Sequence, residues 1–309
     1  SLDGKVARIP SPTSDQIWKP SFHPTKNRML AINGVFDTDI AEISFASNDA
    51  TSVDSSFVRP AQPHKSIARS IFMESQGKYQ PNGENIAFVS RRTGNQQLWL
   101  TNKEVESQLT NYKFDSSIDG IAWSPSGEEL VANVNNELIK ISVDGTQTKL
   151  SLTLPLLNIY QWHGQHHLVL KVLLFGRTTI VRYNIVENKY KVLLAKDIEW
   201  ANLSSKNELI YLDENKNLWR AGLAEPSLIK ELVQEFDSIE LVLKDDIIYG
   251  INSKKNLWSF TLADNAINII RNVHEHVSFL TDIASGKALV KQKIATKKEV
   301  IEFTAEDDQ

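Results

Sequence analysis

The sequence predicts an all-β fold: a single β-propeller of four-stranded antiparallel blades. Three observations carry that expectation. A strand–turn–strand unit recurs along the chain, its anchor positions mostly roughly 40 residues apart, the period of a four-stranded blade. Turn-forming Asn, Asp, Gly and Pro punctuate each unit. Helical periodicity is nearly absent, with Pro226–Glu235 the one stretch readable as a helical turn or an outer strand. About seven units are read, with six the main alternative.

The clearest unit is Gln80–Leu100. Pro81-Asn82-Gly83 is turn chemistry, because proline presets φ and Asn-Gly tolerates φ > 0. Ile86-Ala87-Phe88-Val89 is a short apolar strand, Thr93-Gly94-Asn95 turns the chain, and Leu98-Trp99-Leu100 returns it. A lone hairpin is only marginally stable in water, so it needs copies to pack against. These lie at Trp18–Phe45, Asp119–Gly145, Tyr160–Ile185, Ile198–Leu223, Ser238–Leu262 and His276–Phe303. Between them, Ser107–Thr110, Gln147–Ser151, Lys189–Leu194, Ser227–Val233 and Ile267–Arg271 read as outer strands. The polar segment Ala46–Lys65 reads as an inserted surface loop. The last hairpin is followed only by the acidic tail Thr304–Gln309, so the N-terminal strand Lys5–Ile9 is expected to complete that blade and close the ring. The whole of 1–309 is thus read as one domain.

The chain has 309 residues, 41% hydrophobic and 23% charged, with a net charge of −4. That is ample chain to bury a core without staples. No cysteine is present, which removes disulfides, thiolate metal sites and a cysteine nucleophile. The mild acidity argues against nucleic acid as a partner of this segment, since phosphate neutralisation needs a basic stripe. No apolar run is long enough to span a membrane as a helix. The opening Ser1-Leu2-Asp3 has no Met, from which a piece of a longer protein is expected.

Trp123-Ser124-Pro125-Ser126-Gly127 and, more loosely, Tyr79-Gln80-Pro81-Asn82-Gly83 form one half of a repeat signature. Phe88-Val89-Ser90-Arg91-Arg92-Thr93-Gly94 followed by Leu98-Trp99 forms the other. With Phe22-His23-Pro24 as a degenerate copy, this chain resembles the TolB-like family of propeller repeats, most clearly over residues 18–145. The arrangement, including Asn33–Ile40, also resembles the extracytoplasmic C-terminal sensor domain of CadC-like regulators. In those proteins a winged-helix DNA-binding domain and one membrane helix precede the sensor. The resemblance implies a periplasmic signal-sensing domain of a membrane-anchored transcriptional regulator, DNA binding being confined to the parent protein.

No motif assigns catalysis. There is no Gly-x-Ser-x-Gly elbow and no phosphate-cradling glycine loop. His163, His166 and His167 fall at a turn and strand start, and His274-Glu275-His276 alternates so as to place both imidazoles on one face. Asp37-Thr38-Asp39 lacks the glycine and closing glutamate of a calcium loop. Asp213-Glu214-Asn215 and Asp245-Asp246 read as solvated turn residues. Arg91-Arg92 reads as a hairpin-turn pair rather than an anion site. Trp99, Trp123, Trp200, Trp219 and Trp258 are read at equivalent repeat positions as inter-blade packing, whereas Trp18 and Trp162 lie nearer the axis.

The expected function is therefore non-enzymatic sensing or interaction, with no cofactor or metal. Its binding surface is one mouth of the central channel, where the innermost strands begin. The candidates, one from each of several blades, are Lys19, Lys78, Asp119, Gln161, Glu199 and His276. The partner there is a small molecule or a cell-envelope protein. Two rival readings are a propeller hydrolase, or the substrate-gating propeller of a peptidase lacking its catalytic domain, and an envelope interaction scaffold.

Overall fold

The computed structural model describes residues 16–45, 64–113, 116–222, 225–233, 236–238 and 240–304. Its regular structure is all strand. The chain divides into a larger unit, Thr38–Lys293, and a smaller one formed by the residues on either side of it. The strand Lys5–Ile9, most of the loop Ala46–Lys65 and nearly all of the acidic tail lie outside the described residues.

The smaller unit holds β1 (Gln16–Phe22) and the first part of β2 (Arg28–Ser44). They pair antiparallel from Gln16 opposite Gly34 to Phe22 opposite Met29. The register shifts between Trp18 and Ser21, where Lys19 takes a positive φ of 49°. The turn between the strands is closed by His23, whose Nδ1 accepts the backbone N–H groups of Thr25 and Lys26 at 3.1 Å. Residues 294–304 add a third strand, with Arg28 and Glu302 paired at 3.3 Å. Both side chains of that pair are half-exposed, so it adds little stability.

The larger unit contains six sheets, each with four strands. One begins with residues 38–44 of β2 and β3 (Ser66–Ala68). The second is β4 (Glu74–Tyr79), β5 (Ile86–Ser90), β6 (Gln97–Thr101) and β7 (Glu106–Gln108). The third is β8 (Ile118–Trp123), β9 (Glu129–Val134), β10 (Glu137–Ser142) and β11 (Gln147–Lys149). The fourth is β12 (Leu156–His163), β13 (His167–Leu174), β14 (Arg177–Asn184) and β15 (Lys189–Leu194). The fifth is β16 (Trp200–Leu203), β17 (Leu209–Leu212), β18 (Asn217–Ala221) and β19 (Ser227–Glu231). The sixth is β20 (Val242–Lys244), β21 (Ile247–Ile251), β22 (Asn256–Thr261) and β23 (Ile267–Asn272). The chain then returns to the first sheet through β24 (Val277–Ala284) and β25 (Lys287–Thr304).

The described sheets thus give the lower expected count. The stretches read as a first and a last unit share one sheet, in the order β24, β25, β2, β3. The physical reason is that the β24–β25 hairpin has no outer strands of its own. Residues 38–44 and 66–68 supply them, and Phe45 donates its N–H to Gly286 O at 2.7 Å. That sheet already has four strands without Lys5–Ile9. All five expected outer strands are present, and Pro226–Glu235 contributes β19, not a helical turn. Outer strands β7 and β11 are three residues long and fully exposed, which is how a sheet edge avoids unwanted pairing.

The core is six separate apolar clusters, each wedged between two neighbouring sheets. Ile40, Ala68 and Leu289 of the shared sheet meet Ile86 and Phe88 of the next. At the other end of the chain, Val277, Leu280 and Val290 meet Val242, Ile251 and Leu257. No sheet buries both its faces alone, so each needs two neighbours. Arg92 holds the four strands of the best-preserved sheet together. It lies 4.8 Å over the Trp99 ring and 5.3 Å over Phe88, and reaches the fully buried Glu74 carboxylate at 3.3 Å. The sequence reading of Arg91-Arg92 expected a hairpin-turn pair at the surface; Arg92 instead reaches inward to a buried carboxylate.

Candidate functional site

The innermost strands β4, β8, β12, β16, β20 and β24 enclose a cavity of about 730 Å³, lined from all six sheets. Several neighbouring inner strands are tied to one another. Lys78 Nζ donates to Thr281 O at 2.5 Å, and Tyr79 N–H to Asp282 Oδ2 at 2.8 Å. Gln76 Nε2 donates to Ile118 O at 2.8 Å. The Gln161 amide spans to β16 in both senses, accepting from Leu203 N–H at 2.9 Å and donating to Leu203 O at 3.3 Å. A Cβ on Gly120 would meet Asn158 Oδ1 at 2.8 Å, so only glycine lets β8 and β12 approach so closely.

Four of the six inner strands carry register shifts: β4 between Ser75 and Lys78, β8 between Ile118 and Ile121, and two each in β12 and β24. A bulge breaks the two-residue alternation and re-aims the side chains around it. Here it brings Lys78, Asp119, Asn158 and Asp282 to the channel wall. The β20–β21 turn contributes Asp245 and Asp246, both at positive φ.

The wall carries six carboxylates, Asp119, Glu199, Glu240, Asp245, Asp246 and Asp282, against two lysines, Lys78 and Lys244. Burial raises the Asp282 carboxyl above the ordinary range, although Lys78 and the Tyr79 N–H oppose it. Glu240 is also raised by burial, opposed by Lys78 and Lys291. It is open to the channel yet walled round by protein, so its surroundings are far less polar than bulk water. Asp246 is lowered by the Ser205 hydroxyl and N–H that it accepts. Glu199 is ion-paired with Lys216, and the Tyr160 hydroxyl donates to Glu199 O at 3.4 Å. Five aromatic residues also line the cavity: Tyr79, Trp123, Tyr160, Trp162 and Trp200.

Of the six residues expected at the mouth, Lys78, Asp119, Gln161 and Glu199 line this cavity. Lys19 and His276 do not. Lys19 sits exposed on β1 in the smaller unit, because the sequence assigned that hairpin to a blade of its own. His276 lies in the exposed turn before β24, its ring 4.6 Å from that of His274. The two bulges in β24 bring Thr281 and Asp282 to the wall instead. Trp99, Trp123, Trp200, Trp219 and Trp258 all pack in the clusters between sheets, as expected. Their repeat positions are not equivalent: Trp99, Trp219 and Trp258 are on third strands, whereas Trp123 and Trp200 stand on inner strands and, with Trp162, also line the cavity. Trp18 is on β1. Asp213 is a turn residue as expected, but a buried one: it accepts from Asn215 N–H, Asn217 N–H and Trp219 Nε1. Sequence reasoning missed Glu240, Thr281 and Asp282. Equivalence to Asp119 and Glu199 along the repeat was the only signal for Glu240.

Among the described residues no group of three or more His, Cys, Asp or Glu is placed to hold a metal ion. His163 Nε2 is instead 2.9 Å from Asn207 Oδ1.

No protein-family model matches the chain, and no curated protein matches it in sequence. Solved structures do. TolB from Acinetobacter baumannii aligns with a TM-score of 0.52 at 11% identity, covering 86% of this chain and 65% of that one. A nidogen–laminin complex aligns with a TM-score of 0.50 at 10% identity, covering 62% of this chain and 76% of that one. At such identities the likeness establishes the fold. The chain is a β-propeller, built of four-stranded antiparallel blades around a channel. TolB is among the propellers it is similar to.

Proposed function

We propose that this propeller is a non-enzymatic sensing or interaction domain that meets its partner in the central channel. In this reading it serves as the periplasmic signal-sensing domain of a membrane-anchored transcriptional regulator. One observation carries the binding reading: a cavity of about 730 Å³ to which every sheet contributes polar or charged side chains and four of the six contribute aromatic ones. Pockets for small ligands fall in the range of roughly 300–1,000 Å³ and combine apolar walls with a few placed polar groups. The regulator assignment rests on the CadC-like sequence resemblance and on the propeller fold. A wall this strongly tied by cross-strand hydrogen bonds suits recognition, because the site is formed before its ligand arrives.

Site-specific photo-crosslinking in the full-length parent protein tests the location. A crosslinker replacing Tyr160 on the channel wall is expected to capture a partner, while one replacing exposed Val143 at the blade edge captures none. Capture at residue 143 with nothing at residue 160 moves the interface to the outer surface. In the same parent, Glu199→Lys is expected to change the response of its target promoter. A promoter indifferent to the channel substitution removes the sensing role.

A further inference from the structure

We infer that the channel binds a small organic cation, an ammonium group carried on an apolar or aromatic body; this rests on the channel being the binding site. The carboxylates outnumber the lysines on the wall by three to one. Lys78 and Lys244 reduce the charge of this wall but do not balance it, and Lys78 Nζ is also hydrogen-bonded to Thr281 O. Glu240 is the opposite case: its carboxylate makes no hydrogen bond or ion pair among the described residues while opening into the cavity.

Two further features point to a ligand. Thr281 is 95% buried and lines the cavity, yet its Oγ1 has no hydrogen-bond partner among the described residues. A buried hydroxyl left unpaired is unfavourable, and an ammonium N–H is a donor it can accept from. Tyr79, Trp123, Tyr160, Trp162 and Trp200 line the same cavity, and aromatic rings attract a cation placed over their faces. Low-dielectric walls of one sign also concentrate counter-charge at their mouth. The acids are spread round the ring and do not converge on one point, which suits an organic cation better than a metal ion. The cavity volume suits a small molecule better than a folded partner. Burial holds the Glu240 and Asp282 carboxyls high, so an arriving cation favours their ionised forms and binding weakens on acidification.

Isothermal titration of the folded chain tests this, with tyramine as the probe and phenylacetate, 2-phenylethanol and magnesium as matched controls. Tyramine is expected to saturate one site while the controls do not. Glu240→Gln should weaken tyramine about fivefold, the loss of roughly 1 kcal/mol of charge interaction, with a melting temperature that does not fall. Asp119→Asn is the second variant, should the first alter folding. Tyramine binding that ignores both variants, equal binding of 2-phenylethanol, or no binding by tyramine overturns the inference. Binding of a lysine-centred pentapeptide in place of tyramine overturns the small-molecule source. If phenylacetate binds and a channel substitution abolishes it, the channel remains the site and only the cation assignment fails. If channel substitutions affect no probe and crosslinking at residue 160 is also silent, the channel itself is lost as the site.

Discussion

His64 is held by Gln292, which accepts its N–H at 3.3 Å and donates to its carbonyl at 3.1 Å. Its Nε2 accepts the backbone N–H of His274 at 3.3 Å. That acceptor role requires a neutral ring, and burial, with Arg271 and His274 nearby, lowers its pKa from 6.5 to about 4. The unfolded chain therefore takes up this proton first as the pH falls. The contribution of His64 to stability is complete above about pH 6.5 and is lost progressively towards pH 4, by up to about 3 kcal/mol. Asp39, Glu74, Glu240 and Asp282 have carboxyls raised by burial and pull the other way, gaining stability on acidification. The effect of His64 is thus read as a difference. Between pH 7.5 and 4.5, His64→Gln should lose less melting temperature than the parent chain, and parallel profiles for the two would contradict the burial argument. None of this was visible in the sequence, where His64 sits at the end of a polar loop far from Gln292 and His274.

At the scale of elements, β21 shows how one glycine fixes the approach of two strands. Gly250 lies against the fully buried Trp258 of β22, and a Cβ there would stand 2.5 Å from Trp258 Cζ2 and 2.8 Å from Cε2. Gly250→Ala is expected to cost about 1–3 kcal/mol, since overpacking a filled core displaces its neighbours. Equilibrium urea unfolding measures this, and a midpoint equal to the parent's would show that the indole can give way. Trp258 was legible as inter-blade packing because it is large, apolar and follows a turn. The inner strands were less legible. Their register shifts break the two-residue period from which strand faces are read, so Thr281 and Asp282 could not be assigned to the wall from spacing. The outer strands were placed well because they are short polar segments at a steady distance from each hairpin.

For the whole propeller, the sheet shared by β2, β3, β24 and β25 joins residues more than 200 positions apart, as in the Lys78–Thr281 and His64–Gln292 hydrogen bonds of its surroundings. Contacts at such separation carry the largest loop-closure cost and form late in folding. Ile40 is fully buried in the cluster that links this sheet to the next. Ile40→Ala should destabilise by about 2–5 kcal/mol. Because its contacts form late, nearly all of that should appear as faster unfolding with little change in the folding rate. Stopped-flow rates in denaturant separate the two, and slower folding with unchanged unfolding would make this sheet part of the nucleus.

The all-β class, the recurring hairpins and their outer strands could be read from the sequence, and Lys78, Asp119, Gln161 and Glu199, named there for the channel mouth, line the cavity. Those properties are local: turn residues set φ, apolar runs set strands, and a steady repeat length sets the blade. The tertiary structure alone decided that residues at opposite ends of the chain share one sheet, which bulged side chains face the channel, and which acids there lack a partner. Strand pairing across such distances and the burial of a charge both depend on which surfaces meet, and no window along the chain contains that information.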